Sequence, residues 1–170
     1  METMRLLGRL LTVIAILVTV AHMPVLVGAA QTEGQTKYAP VVKYDPQRDA
    51  AQDIRDAVNE AQRTHKRILL EVGGNWCSWC HTLDRFFETH SELTEFRDRN
   101  FVTLKINFSD ENENKEVLSR YGEIAAYPHL FVVESDGKLL LSKDTGALES
   151  GKSYDLVKLT AFLKEWAPSR

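Results

Sequence analysis

Apolar positions along the chain switch between a helical and a strand period, and the switches divide it into elements. Ile54, Ala57, Val58 and Ala61 fall at i, i+3, i+4 and i+7, which predicts an amphipathic helix over about 47–64. Asp45-Pro46 reads as its cap and first turn. Ile68 to Val72 is a short run suited to a central strand buried on both faces, and Gly73-Gly74-Asn75 breaks it. From Cys77 the helical period returns through Leu83, Phe86 and Phe87 to about His90, with Ser91–Arg97 as a continuation or a kinked second segment. Phe101–Asn107 alternates and is rich in β-formers, so a second strand is expected there.

The acidic run Ser109–Asn114 lacks the glycine and terminal glutamate of a calcium loop and reads as solvated. A short helix with Val117, Leu118 and Tyr121 follows and ends at Gly122. His129–Glu134 is a third strand, Ser135-Asp136-Gly137-Lys138 a hairpin signal, and Leu139–Ser142 the return strand. After a loop over 144–152, Leu156, Leu159, Phe162, Leu163 and Trp166 mark a closing amphipathic helix. The order predicts an α/β fold in one domain, with a central mixed sheet of four to five strands flanked by helices.

The N-terminus is different in kind. Arg5 and Arg9 precede an apolar stretch without formal charge that runs to Gly28-Ala29-Ala30, and a polar segment opens at Gln31. This is the layout of a cleavable secretory signal over residues 1–30, the alternative being an uncleaved membrane anchor. No cysteine lies there for lipid attachment. The expected location is a bacterial periplasm. Residues 31–44 read as a flexible leader, with Val41-Val42 as a candidate short edge strand. Without residues 1–30 the chain holds 19 Lys+Arg against 23 Asp+Glu, a net charge of −4. Such mild, interspersed charge implies no nucleic-acid partner. The 140 remaining residues suit one core, here over 45–167.

Chemistry concentrates in Trp76-Cys77-Ser78-Trp79-Cys80-His81. The only two cysteines are three apart, so no third one draws either into a structural bridge. A bridge between them closes too small a loop to constrain the unfolded chain much. A Cys-x-x-Cys pair at a strand-to-helix junction suits thiol–disulfide exchange. The helix N-terminus favours a thiolate on the first sulfur, and the second lies one turn inward, in reach of a mixed disulfide.

Trp76-Cys77-Ser78-Trp79-Cys80 after a strand, Tyr127-Pro128 before a later one, an Asp-Gly hairpin and a terminal helix together resemble the thioredoxin superfamily. The likeness is to its exported thioredoxin-like domains, including the C-terminal domain of the transmembrane carrier of reductant. It covers about residues 45–167. The resemblance implies a redox-active Cys77–Cys80 disulfide, with Cys77 as nucleophile and Cys80 as resolving cysteine. It also implies a cis Pro128 in the site wall, with Tyr127 contacting substrate. Trp76 is expected to offer substrates a flat apolar surface. Trp79 departs from the small residue or proline common at its position and is expected to alter access. Glu71, six residues before Cys77, occupies the place of a buried acid that exchanges protons with the resolving thiol; the plainer alternative is an acid at a strand end that points to solvent or pairs with Lys66 or Arg67. His81 either stabilises a thiolate when charged or sits exposed on the helix. His129 stands where threonine is common.

The expected function is thus a periplasmic thiol–disulfide oxidoreductase without cofactor or metal, monomeric, reducing protein disulfides with electrons from a membrane donor. Disulfide isomerisation or oxidation by the same fold is the nearest alternative. Cys77-x-x-Cys80-His81 also fits covalent haem attachment, but Met1, Met4 and Met23 all lie in the signal, leaving only a histidine such as His65, His90 or His129 as second axial ligand. A zinc site would need Cys77, Cys80, His81 and the distant His129. A non-catalytic thioredoxin-like binding module would more naturally lack one cysteine.

Overall fold

The structure is a computed structural model that describes residues 37–169, so the signal and cleavage site expected over 1–30 lie outside the described residues. Among the described residues no helix is long and apolar enough to cross a membrane. The elements run in the order α1 (Ala50–Thr64), β1 (Arg67–Gly73), α2 (Ser78–Thr89), α3 (Ser91–Asn100), β2 (Phe101–Asn107), α4 (Lys115–Leu118), β3 (His129–Val133) and β4 (Leu139–Asp144). A single 3-10 turn at Thr145–Leu148, a small hairpin of β5 (Glu149–Ser150) and β6 (Ser153–Tyr154), and α5 (Leu156–Glu165) complete the chain.

The sheet order is β2-β1-β3-β4. β1 runs parallel to β2 and antiparallel to β3, and β3 to β4, giving the mixed sheet that the patterning predicts. β1 is central and carries an almost unbroken apolar run because both of its faces are covered. Alternation along the strand sends Ile68, Leu70 and Val72 to the α1 face, with Val102, Leu104, Ile106, Phe131 and Val133. Leu69 goes to the other face, with Leu130, Val132 and the apolar stripes of α2 and α5 at Leu83, Phe86, Phe87, Leu159, Phe162 and Leu163. Glu71 shares the face of Leu69, and that face leads to the cysteines.

Several boundaries differ from expectation. α1 starts at Ala50, capped by Asp49, whose carboxylate accepts the Gln52 N–H. Asp45 instead accepts the Gln47 N–H in a separate turn, and Arg48 folds back onto the buried Asp53, 2.5 Å away. α2 and α3 are separate helices, because His90 leaves helical geometry and lays its ring on Phe86 at 4.1 Å between centroids. β4 reaches Asp144 because its last residue pairs with His129. The packed chain also begins before residue 45. Val41 and Tyr44 are buried, and the Lys105 N–H on the β2 edge donates to the Val41 carbonyl at 2.9 Å. The end of the expected leader is therefore part of the core, and Val41 meets the β2 edge through this one bond rather than as a strand.

Candidate active site at the strand-to-helix turn

β1 delivers the chain to the N-terminus of α2 through Gly74-Asn75-Trp76, closed by the Cys77 N–H donating to the Gly74 carbonyl at 3.0 Å. Cys77 is the N-cap of α2, and its Sγ accepts the Cys80 N–H at 3.0 Å. The two sulfurs are joined in a disulfide. Cys77 keeps 3% of its surface exposed and Cys80 none, so an attacking partner can reach only the first sulfur. Neither Gly73 nor Gly74 has a positive φ. Their smallness serves close approach instead. A Cβ on Gly73 would stand nearer the Cys80 Sγ than side-chain carbons tolerate and 3.0 Å from the Tyr44 hydroxyl. One on Gly74 would strike the Trp76 ring and, at 2.8 Å, the Phe108 carbonyl.

Beneath the disulfide lies a buried polar cluster. Glu71 is 2% exposed, and its Oε1 accepts a 2.5 Å hydrogen bond from the Tyr44 hydroxyl. The parallel register sets Glu71 beside Lys105, whose Nζ is 3.4 Å from the same oxygen and also pairs with Asp84. Lys105 sits over the Tyr44 ring, 4.5 Å from its centroid. Burial pushes the Glu71 carboxyl above its ordinary pKa; the Lys105 charge and the Tyr44 hydrogen bond oppose that shift without cancelling it. Burial and the Glu71 charge hold the Tyr44 hydroxyl well above its ordinary value, so it remains a donor at neutral pH. The plainer expectation for Glu71 fails: Lys66 donates to the Asp98 carbonyl and Arg67 pairs with Glu134.

An aromatic rim borders the sulfurs. Trp76 is 58% exposed, pinned by its indole N–H to the Phe108 carbonyl at 2.7 Å and edge-on to Tyr127 at 5.4 Å. Tyr127 stacks on Phe108, and the Tyr127–Pro128 peptide bond is cis. Thr145 donates its hydroxyl to the Pro128 carbonyl at 2.8 Å. Trp79 is half-buried, edge-on to Tyr154 and packed toward the α2–α5 core. His81 is exposed, with Nε2 2.9 Å from the Asn75 carbonyl across the turn. His129 is buried on the other face of the sheet beside Phe131, its Nε2 2.8 Å from the Ser142 hydroxyl. Burial holds its ring below the ordinary histidine pKa. With His129 on that face, the four side chains of a zinc site do not converge. Tyr44, Asp84, Lys105 and Phe108 escaped the sequence reading. Of these only Lys105 left a signal, a charge at an inward strand position.

The thioredoxin-like family model matches residues 49–135. Protein disulfide-isomerase of Triticum aestivum is 31% identical over 83 residues, 49% of this chain but only 16% of that protein, and the Hordeum vulgare protein matches at 30% over the same length. The chain therefore spans about a sixth of these relatives. Among solved structures, the disulphide isomerase of Xylella fastidiosa Temecula1 superposes with a TM-score of 0.61 at 27% identity, over 75% of this chain and 98% of that one. The oxidised DsbD C-terminal domain of Neisseria meningitidis shares the fold at a TM-score of 0.51 and 19% identity, over 73% and 98%. The family match takes in half of the sequence, and by it the chain belongs to the thioredoxin-like family, with both cysteines of the Cys-x-x-Cys pair present and joined in a disulfide.

Proposed function

We propose that the protein is an exported reductase of protein disulfides that works through Cys77 and Cys80. The carrying observation is that Cys77 caps α2 and holds the only accessible sulfur of the pair, beside the exposed ring of Trp76. In the reduced protein the Cys77 thiolate, favoured by the helix N-terminus, attacks a substrate disulfide and forms a mixed disulfide. Cys80 gives up its proton and attacks the Cys77 sulfur. The mixed bond breaks, the substrate leaves as a dithiol, and the enzyme keeps both oxidising equivalents as the Cys77–Cys80 disulfide. Glu71 takes the Cys80 proton, a role suited to a buried carboxyl whose pKa burial raises above its ordinary value. Trp76, Tyr127 and Pro128 receive the substrate, Pro128 by presenting the Tyr127 backbone to an extended segment. Trp79 supports that wall from behind, and His81 tunes the pair by tethering the turn.

A dithiol donor must regenerate the enzyme, and residues 1–30, read as an export signal, make a membrane-embedded donor facing the periplasm the fitting source. A monomer is the working form in this reading. Isomerisation is a second reading, favoured by the names of the Xylella fastidiosa and Triticum aestivum proteins. The reduction potential separates the two. Tryptophan fluorescence, reported by Trp76 and Trp79, would be followed through a thiol/disulfide titration. A potential near −270 mV is expected for a donor; one between about −180 and −120 mV would make the protein an isomerase or oxidant. Loss of any reversible two-electron transition would end both readings. Glu71→Gln is expected to slow mixed-disulfide resolution at least about tenfold with the fold intact, since positioned proton transfer contributes about 10²–10⁴.

A further inference from the structure

We propose that Tyr44 carries the proton between Cys80 and Glu71, so that the segment before α1 supplies a working group to the active site. This rests on the proton-transfer role given to Glu71 above. Tyr44 is buried and packs in one small cluster with Cys77 and Cys80. Its hydroxyl donates to the Glu71 carboxylate at 2.5 Å, and hydroxyl and Cys80 Sγ converge on the same point beside the Gly73 Cα. A Cβ on Gly73 would stand 3.0 Å from the Tyr44 hydroxyl and nearer still to the Cys80 sulfur, so the bare glycine lets both groups pack against the same stretch of backbone. A phenol already donating to a carboxylate has an oxygen lone pair left for the thiol.

The transfer is concerted. The Cys80 proton passes to the Tyr44 oxygen as the Tyr44 proton passes to Glu71. The freed electron pair on Cys80 forms the bond to Cys77, and the pair of the broken mixed disulfide leaves on the substrate sulfur. Tyr44 ends as it began, a neutral phenol, which its strongly raised pKa favours. The charged groups facing it are Glu71, Lys105 over its ring, and Asp84 beyond Lys105. Glu71, Asp84 and Lys105 also line a groove along the β2 edge, and by this route the proton accepted by Glu71 returns to water.

The reduced full-length protein would be mixed with 5,5′-dithiobis(2-nitrobenzoate). The first yellow thiolate reports Cys77 attack, and the second, independent of reagent concentration, reports Cys80 attack. At pH 7 Tyr44→Phe is expected to slow the second phase at least about tenfold and leave the first unchanged. The gap should close above about pH 8.5, where hydroxide deprotonates the thiol directly. Tyr44→Phe/Glu71→Gln should be no slower than Glu71→Gln, because both remove one route. A slow Glu71→Gln with a normal Tyr44→Phe would overturn the tyrosine step and leave Glu71 in place. Normal rates in both would overturn the Glu71 role itself. Multiplying effects, or equal slowing of both phases by Tyr44→Phe, would show separate or merely structural roles and overturn the proposal. Independently of any variant, second-phase rates of the wild-type protein in H₂O/D₂O mixtures should follow a bowed line, since two protons move together; a straight line would overturn it.

Discussion

Glu71 and His129 are buried titratable side chains on opposite faces of one sheet, and they set opposite dependences of stability on pH. The Glu71 pKa is raised in the folded chain, so above about 4.5 the folded state holds this proton longer than the unfolded chain does. Its contribution is full at low pH and is lost as pH rises through the folded value. The His129 pKa is lowered, so on acidification below about 6.5 the unfolded chain takes up a proton that the folded chain refuses. Its contribution is present above that value and falls away below it. Glu71 therefore favours the folded state on acidification towards its ordinary value and His129 disfavours it below about 6.5, so the two act in opposite senses. Urea unfolding over a descending pH series is expected to show a steeper loss on acidification in Glu71→Gln and a flatter curve in His129→Gln. Identical slopes in all three proteins would mean that neither group titrates differently on folding. Gly73 makes a separate demand, for space. Gly73→Ala drives a methyl against the Cys80 sulfur and is expected to cost about 1–3 kcal/mol in the oxidised protein, read from the same unfolding curves.

At the scale of elements, the caps rather than the apolar period decide where helices begin. Ile54, Ala57 and Ala61 identify α1 correctly, but two aspartates precede it and either sequence context admits a cap. Asp49 takes the role because the chain must first climb from Tyr44, under the disulfide, to the α1 face, and the turn at Asp45 makes that climb. Asp49→Ala is expected to cost about 1 kcal/mol and Asp45→Ala much less, by thermal or urea unfolding. An equal loss would return the cap to Asp45. The strands were legible because β1 and β3 are nearly continuous apolar runs and β2 alternates with β-forming residues, and the cysteine pair was legible because its spacing at a strand-to-helix junction is unusual. The β5–β6 hairpin was not legible, since two-residue strands carry no period. Lys105 required the register of β1 on β2, which no local pattern encodes. Tyr44 was hidden further still. A tyrosine in a polar segment gives no sign that it packs beneath a helix of distant sequence.

For the whole molecule, the point at issue is where the folding unit starts. A boundary at residue 45, natural from the patterning, would cut off Val41 and Tyr44, both core residues. It would also strip Glu71 of its donor, leaving a buried carboxyl with Lys105 alone. Burial of one such apolar side chain contributes about 1.5–3 kcal/mol, so a chain beginning at Asp45 should lose several kcal/mol against one beginning at Lys37. The denaturant slope should fall as well, because less surface is buried on folding. The two chains also separate stability from chemistry. At a urea concentration where both remain folded, the shorter one should still attack 5,5′-dithiobis(2-nitrobenzoate) through Cys77 at the normal rate but release the second thiolate slowly. Equal stability and equal second phases would place the start of the unit at α1 and make the preceding segment a passenger. The expected result makes residues 37–44 part of the enzyme, joined to the sheet edge by Val41 and to the redox centre by Tyr44.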